Sequence, residues 1–251
     1  LQMTADVPLG AFLSGGVDSS AVVALMQAQS MHPVKTFSIG FDEAAYNEAE
    51  YAKAVAQHLG TEHTELYVSA FEAMKVIPSL GVIYDEPFAD SSQIPTYLVS
   101  QLAKQHVTVS LSGDAGDELF GGYNRYLLAD TWQKIERLPL GVRKCAGHLI
   151  RTISPGTWDS IFQQAGKVKT FPSNMGEKLD KLANRLEKVA SVDELYYSLV
   201  SEIDCPEELV IGATEPQTFL TQIEIKSAIP DPKQRKMLMD AMTYLPDDIL
   251  V

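Results

Sequence analysis

The sequence predicts an α/β fold: a parallel sheet with helices on both faces, followed by a mainly helical half. Three observations carry that prediction. Short apolar runs alternate with helix-length segments through the first 111 residues. The first of these runs turns through two adjacent glycines straight into a helix, as strands do at the ligand-binding edge of parallel sheets. From Leu127 onward, proline-bounded segments of helical character replace the strands.

The first run, Val7-Pro8-Leu9-Gly10-Ala11-Phe12-Leu13, is short and apolar and reads as a buried strand. Ser19 to Gln29 follows as a helix with an apolar body, and Pro33 closes the connection. Val34 to Phe41 is a second strand, and residues 42–46 leave it as a polar loop. Asn47, with Glu50 three positions on, is a helix-start signature before Tyr51 to Leu59, and Gly60 stops that helix. Thr61 to Val68 alternates as a third strand, and Ser69 caps a helix running to about Leu80. A proline-marked polar loop over residues 84–95 leads into a helix from about Ile94 to Lys104, and Val107 to Leu111 is a further strand. In the second half, helices are expected over Asn174 to Val189, Val192 to Ile203 and Lys233 to Met242, with Pro206 and Pro232 in first-turn positions. Gln163 to Thr170 lacks a period and reads as a solvated loop.

Composition narrows the function. The 251 residues are 45% hydrophobic and 21% charged, as in an ordinary globular chain, and no apolar run approaches membrane-spanning length. The net charge is −13 and uneven: through Asp130 there are 5 Lys/Arg against 16 Asp/Glu. Such a surface repels a polyanion, so neither nucleic acid nor membrane is expected as a partner. Cys145 and Cys205 stand far apart without metal-ligand spacing, and the five histidines read as packing or surface residues; a reducing cytoplasm fits. Leu1 to Asp6 does not read as a natural start, so a longer protein is expected.

The chemistry is concentrated in two corners. At Leu13-Ser14-Gly15-Gly16-Val17-Asp18-Ser19-Ser20, a strand end opens into a helix. The glycines let an anion approach the backbone, Ser14 and Ser19 add hydroxyl donors, and the helix start offers free N–H groups, so a phosphate or pyrophosphate is the natural occupant. Two glycines alone would equally suit a plain turn in which Asp18 caps the helix. A carboxylate beside phosphates is repulsive unless a cation lies between them, which makes Asp18 an argument for Mg2+. Ser112-Gly113-Asp114-Ala115-Gly116-Asp117-Glu118-Leu119-Phe120-Gly121-Gly122-Tyr123 repeats the theme: strand end, Ser-Gly turn, acids at a helix start. Glu118 by itself suits the helix dipole. Asp117 supplies the second carboxylate that Asp18 needs to hold magnesium. The end of the second strand, Ser38-Ile39-Gly40, is placed to clasp an adenine through backbone groups and the Ile39 side chain, although a buried strand terminus explains it equally.

The Ser-Gly-Gly-x-Asp-Ser segment resembles the signature of PP-loop ATP pyrophosphatases, and the fold implied is that of the adenine nucleotide alpha hydrolase-like proteins. The second corner resembles the Ser-Gly-(Glu/Asp)-x-x-Asp-Glu-x-Phe-Gly-Gly-Tyr segment of the glutamine-hydrolysing asparagine synthetase family. Tyr84-Asp85-Glu86-Pro87 and Tyr244-Leu245-Pro246-Asp247-Asp248-Ile249-Leu250 fit the same family. The resemblance is strong through Tyr126 and at the end of the chain, and weak between.

It implies a synthetase domain with a PP-loop ATP-binding core over residues 1–126 and a helical extension over 127–251. ATP and aspartate, or a related carboxylic acid, would give an acyl adenylate and pyrophosphate, and ammonia would then displace AMP. ATP and pyrophosphate would be held by Leu13, Ser14, Gly15, Gly16, Asp18, Ser19, Ile39, Ser112 and Gly113, and Mg2+ by Asp18 and Asp117. Asp114 matches an acid near the reacting carboxyl and ammonia, a catalytic candidate. The family's glutaminase domain, which supplies the ammonia, and a Lys-x-Asp segment after the present end have no counterpart in this sequence, so little turnover is expected of the chain alone. A homodimer is compatible with the sequence and not specified by it. The rival readings are a related amidotransferase or β-lactam-forming synthetase, a nucleotide-binding module without turnover, and a tRNA-modifying adenylator.

Overall fold

The computed structural model describes residues 3–42, 47–84, 90–165, 174–201, 203, 206–214, 216, 218–221 and 227–250. The expected Asp85-Glu86-Pro87 phrase, Cys205 and the lysines of the 163–170 loop lie outside the described residues. Contacts divide the chain into two units, Leu1–Phe120 with Leu245–Val251, and Gly121–Tyr244.

The first unit is built on four parallel strands: β1 (Leu9–Phe12), β2 (Lys35–Phe41), β3 (Glu62–Val68) and β4 (Val109–Leu111), in the order β3-β2-β1-β4. β1 pairs with both β2 and β4, Ala11 standing opposite Thr36 on one side and Leu111 on the other. Side chains alternate across a strand, and β1 shows what each face meets. Ala11 and Leu13 are buried with Val23 and Met26 of α1 (Val17–Gln29) and Ala52 and Ala56 of α2 (Ala49–Leu59). Phe12 points the other way, to Phe37, Val107 and Ala103 of α5 (Gln93–Ala103). Helices therefore cover both faces, as the strand–helix alternation requires.

Local signals fix the element ends. Asn47 accepts the Ala49 N–H at 3.1 Å ahead of α2, and Gly60 ends that helix in the left-handed region at φ 71°. Ser69 and Glu72 form a reciprocal capping box for α3 (Ala70–Met74). The helix expected to run on to Leu80 is broken there, and α4 (Ile77–Ile83) restarts with a proline in its first turn. α1 begins at Val17, ahead of its expected start.

The chain runs from β1 outward through β2 to β3 and then returns to the far side of β1 for β4, so the winding direction reverses between β1 and β4. Ligand crevices in open parallel sheets lie at the carboxyl ends of the strands flanking such a reversal. The two Ser-Gly corners are the segments that leave β1 and β4. α6 (Gly116–Phe120) starts within the second corner, and Leu245–Ile249 adds a single π-helical turn to this unit.

The second unit is helical in its regular elements: α7 (Asn124–Ile135), α8 (Leu140–Arg151), α9 (Pro155–Ala165), α10 (Met175–Lys188), α11 (Val192–Val200) and α12 (Pro232–Met242). Pro155 opens a helix instead of breaking one, since its missing N–H is free of cost in a first turn. Asp231 caps α12 by accepting the Lys233 N–H at 2.8 Å. Ala129, Trp132, Val189, Val192 and Leu195 form its core. Among the described residues, no helix is long and apolar enough to cross a membrane.

Candidate functional site

The first corner is organised by its own hydroxyls. Ser19 Oγ accepts the Ser14 N–H at 3.2 Å and lies 2.9 Å from Ser14 Oγ, which in turn accepts the Gly16 N–H at 3.2 Å. These bonds curl the chain so that Gly15 takes φ 81°, where an L side chain is strained. Close approach also excludes a side chain there: a Cβ on Gly15 would stand 2.6 Å from the Ala52 amide nitrogen and the Tyr51 Cβ. The loop thus rests on the first turn of α2, which is allowed near by buried Ala49, Ala52 and Ala56. α1 has no side-chain cap, so its first-turn N–H groups offer an anion site beside exposed Ser14 and Gly16.

The second corner packs directly on the first. A Cβ on Gly113 would lie 2.7 Å from the Ser19 amide nitrogen, so only glycine lets Ser112-Gly113 touch the start of α1. A Cβ on Gly116 would lie 2.6 Å from Asp18 Oδ1, which places the Asp18 carboxylate against the backbone one residue before Asp117. Asp117 is half-buried and engaged in an interaction, while Asp114 is exposed at the turn. Ala115 adopts φ 72°, a left-handed conformation without glycine's freedom.

Glu118 is 3% exposed and partnered, so it does more than complement a helix dipole at the surface. Among the described residues, no group of three or more His, Cys, Asp or Glu side chains is arranged to hold a metal ion. A cation between Asp18 and Asp117 would therefore draw its remaining ligands from phosphate oxygens and water, the usual manner of magnesium.

Ile39 presents its backbone and its side chain to different neighbours. Glu62 N–H donates to Val34 O and Leu13 N–H donates to Phe37 O, both at 2.9 Å. Even-numbered residues of β2 thus turn their backbone groups to β3 and odd-numbered ones to β1. β1 ends at Phe12, so the Ile39 N–H and C=O face past the strand end. The Ile39 side chain packs with Val68, Val76 and Leu98 on the α5 side. A cavity of about 470 Å3 also lies on that side, lined by Phe12, Ala103, Lys104, Val107 and Ser110, and neither corner reaches it.

Beneath α2 lies a partly buried polar chain that the sequence does not announce. His63 Nδ1 lies 2.8 Å from Thr36 Oγ1 and its Nε2 lies 3.2 Å from Ser38 Oγ, while Thr36 Oγ1 lies 3.0 Å from Thr61 Oγ1. Burial lowers the His63 pKa; Glu65 pulls it upward and Lys53 pushes it down, and the net direction is down. The signal was the alternation of Thr36, Ser38 and His63 on facing strand positions. Composition could not tell it from surface polarity.

A second polar cluster holds the helical unit. Arg125 forks onto Asp240, Nε to Oδ2 at 3.0 Å and Nη2 to Oδ1 at 2.9 Å, with its guanidinium over the ring of Tyr123 at 4.2 Å and over that of Tyr244 at 4.4 Å. Burial by itself would lower the Arg125 pKa; the Asp240 charge overcomes it, and the net shift is upward. Tyr196 donates to Asp240 Oδ1 at 2.5 Å, and its burial followed by that bond drives its pKa strongly upward.

The family model described as Asparagine synthase matches residues 1–251. Asparagine synthetase (glutamine-hydrolyzing) 1 of Bacillus subtilis (strain 168) is 32% identical over 99% of this chain and 42% of its own length. The human asparagine synthetase (glutamine-hydrolyzing) is 34% identical over 54% of this chain and 25% of its own. Asparagine synthetase (glutamine-hydrolyzing) 3 of B. subtilis is 30% identical over 52% and 24% respectively. The chain thus spans less than half the length of these relatives.

Proposed function

The chain belongs to the asparagine synthase family, and from that premise we propose that it is the ATP-using domain of an amide-forming ligase that makes asparagine in the cytoplasm. The observation that carries the reading is the contact between the two Ser-Gly corners, with the Asp18 carboxylate lying against Gly116 beside Asp117. Two corners from strands flanking the reversal of the sheet would close on one triphosphate.

The aspartate side-chain carboxylate would attack the α-phosphorus of ATP, and pyrophosphate would leave. Ammonia would then attack the acyl carbon; AMP leaves, and the nitrogen gives up a proton. Buried Leu13, which follows β1, would anchor the first corner, and Ser14, Gly15, Gly16 and Ser19 with the α1 first turn would hydrogen-bond the departing pyrophosphate as its charge grows. Ser112 and Gly113 would close over it. Asp18 and Asp117 would hold Mg2+, which when bound neutralises charge on the phosphates. The Ile39 backbone would read the adenine. Exposed Asp114 would orient ammonia or accept its proton. Ammonia would come from a glutaminase domain of the full-length protein.

The test is pyrophosphate release by the full-length protein with ATP, Mg2+ and aspartate. Asp18→Ala is expected to abolish it, and Asp114→Asn to keep ATP binding while depressing amide formation. Release preserved in Asp18→Ala contradicts the metal role. Release with other carboxylic acids but not with aspartate would assign the domain to a related amidotransferase or β-lactam-forming synthetase.

A further inference from the structure

A buried network of hydroxyls and an imidazole is a costly way to fill the space between a sheet and a helix, since every member must be satisfied. Thr36 and Ser38 are 0% and 4% exposed, and the His63 side chain is 9% exposed. The three could be replaced by apolar residues without loss to the core, unless they hold something in place.

What they hold is the carboxyl end of β2. His63 bridges from β3 to two successive inward-facing residues of β2, meeting Thr36 with Nδ1 and Ser38 with Nε2. A neutral imidazole suits this, donating through one nitrogen and accepting through the other. Beyond His63 the chain continues outward: Nε2 lies 3.7 Å from Glu65 Oε1, Lys53 of α2 lies 3.7 Å from Glu65 Oε2, and Tyr67 donates to Glu65 at 3.1 Å. The bridge is thereby tied to α2, the helix whose first turn backs Gly15.

Ser38 shares its peptide bond with Ile39, whose N–H and C=O face past the end of β1. On that side the last strand bond is that of Leu13 N–H to Phe37 O, so Ile39, still in register with Leu66 of β3, has no strand beside it on the β1 side. The Ser38–His63 contact, 3.2 Å long, adds a side-chain restraint from β3 to the pairing that already holds this end of β2. We propose that His63, acting through Ser38, is a positioning residue that sets the Ile39 peptide for recognition of the adenine base of the nucleotide; this rests on the functional reading above.

The experiment measures binding of AMP, ATP and magnesium pyrophosphate to the full-length protein and to His63→Ala, His63→Gln, His63→Asn and Ser38→Ala. Losing one buried restraint is expected to weaken AMP and ATP binding about five- to tenfold in His63→Ala and Ser38→Ala. Pyrophosphate, which on the functional reading above is held by the Ser-Gly corners and not by Ile39, should bind as before. His63→Gln, long enough to reach Ser38, should recover most of the AMP affinity, whereas His63→Asn, which reaches only as far as Thr36, should not. Equal losses for AMP and pyrophosphate would mean a structural role alone and overturn the proposal, as would unchanged AMP binding in His63→Ala. If the native protein binds neither ATP nor pyrophosphate, the functional reading itself fails and the proposal falls with it.

Discussion

Replacing Lys236 by methionine is expected to stabilise the protein by about 3 kcal/mol at neutral pH. Lys236 lies on α12, is 1% exposed, and its Nζ has no hydrogen-bond partner among the described residues. Burial pushes its pKa down from 10.5 to about 8, against the pull of Asp193 and with a push from Arg235, while Asp240 also pulls upward. At about 1.4 kcal/mol per pH unit, that gap is worth about 3 kcal/mol. The sign follows from proton counting. Below pH 8 both folded and unfolded chains carry the proton, and the folded state bears the full penalty of a buried charge. Between about 8 and 10.5 the unfolded chain still holds a proton that the folded one has released, so stability from this group rises with pH. Methionine keeps the unbranched length and helix propensity without the charge.

The assay is urea unfolding of native protein and variant at several pH values from 7 to 10.5, which cancels the titration of all other groups in the difference. The variant should lead by about 3 kcal/mol at pH 7, and its lead should shrink towards pH 10.5. A variant no more stable than the native protein at pH 7, or one whose lead is the same throughout, would refute the argument from burial.

Three further predictions test other parts of the structure. Gly116→Ala puts a Cβ 2.6 Å from Asp18 Oδ1 and should turn that carboxylate away, lowering magnesium-dependent pyrophosphate release at least about tenfold with the melting temperature nearly unchanged; release within twofold of native would contradict the placement of Asp18. Asp240→Ala strands the Arg125 guanidinium and the Tyr196 hydroxyl in the helical unit and should cost about 3–5 kcal/mol in urea unfolding, whereas a surface pair would cost under about 1. Ala115→Gly relieves a left-handed alanine at φ 72° and should raise stability by about 0.5–1 kcal/mol, read as a higher urea midpoint.

The strand–helix order, the two Ser-Gly corners and the caps are legible in the chain's local pattern, because each depends on residues within a few positions of one another. Ser69 with Glu72, Gly60 after α2 and Asp231 before α12 take effect through local backbone geometry alone. That β4 lies beside β1, bringing Gly113 and Gly116 onto Ser19 and Asp18 from nearly a hundred residues away, emerges from long-range packing. The same packing buries Glu118, Asp240 and Lys236 and leaves His63 half-buried. A polar residue carries no mark of burial in its own letter; whether it faces water or a helix depends on which strands pair and in what register, and that is settled by the whole chain packing at once.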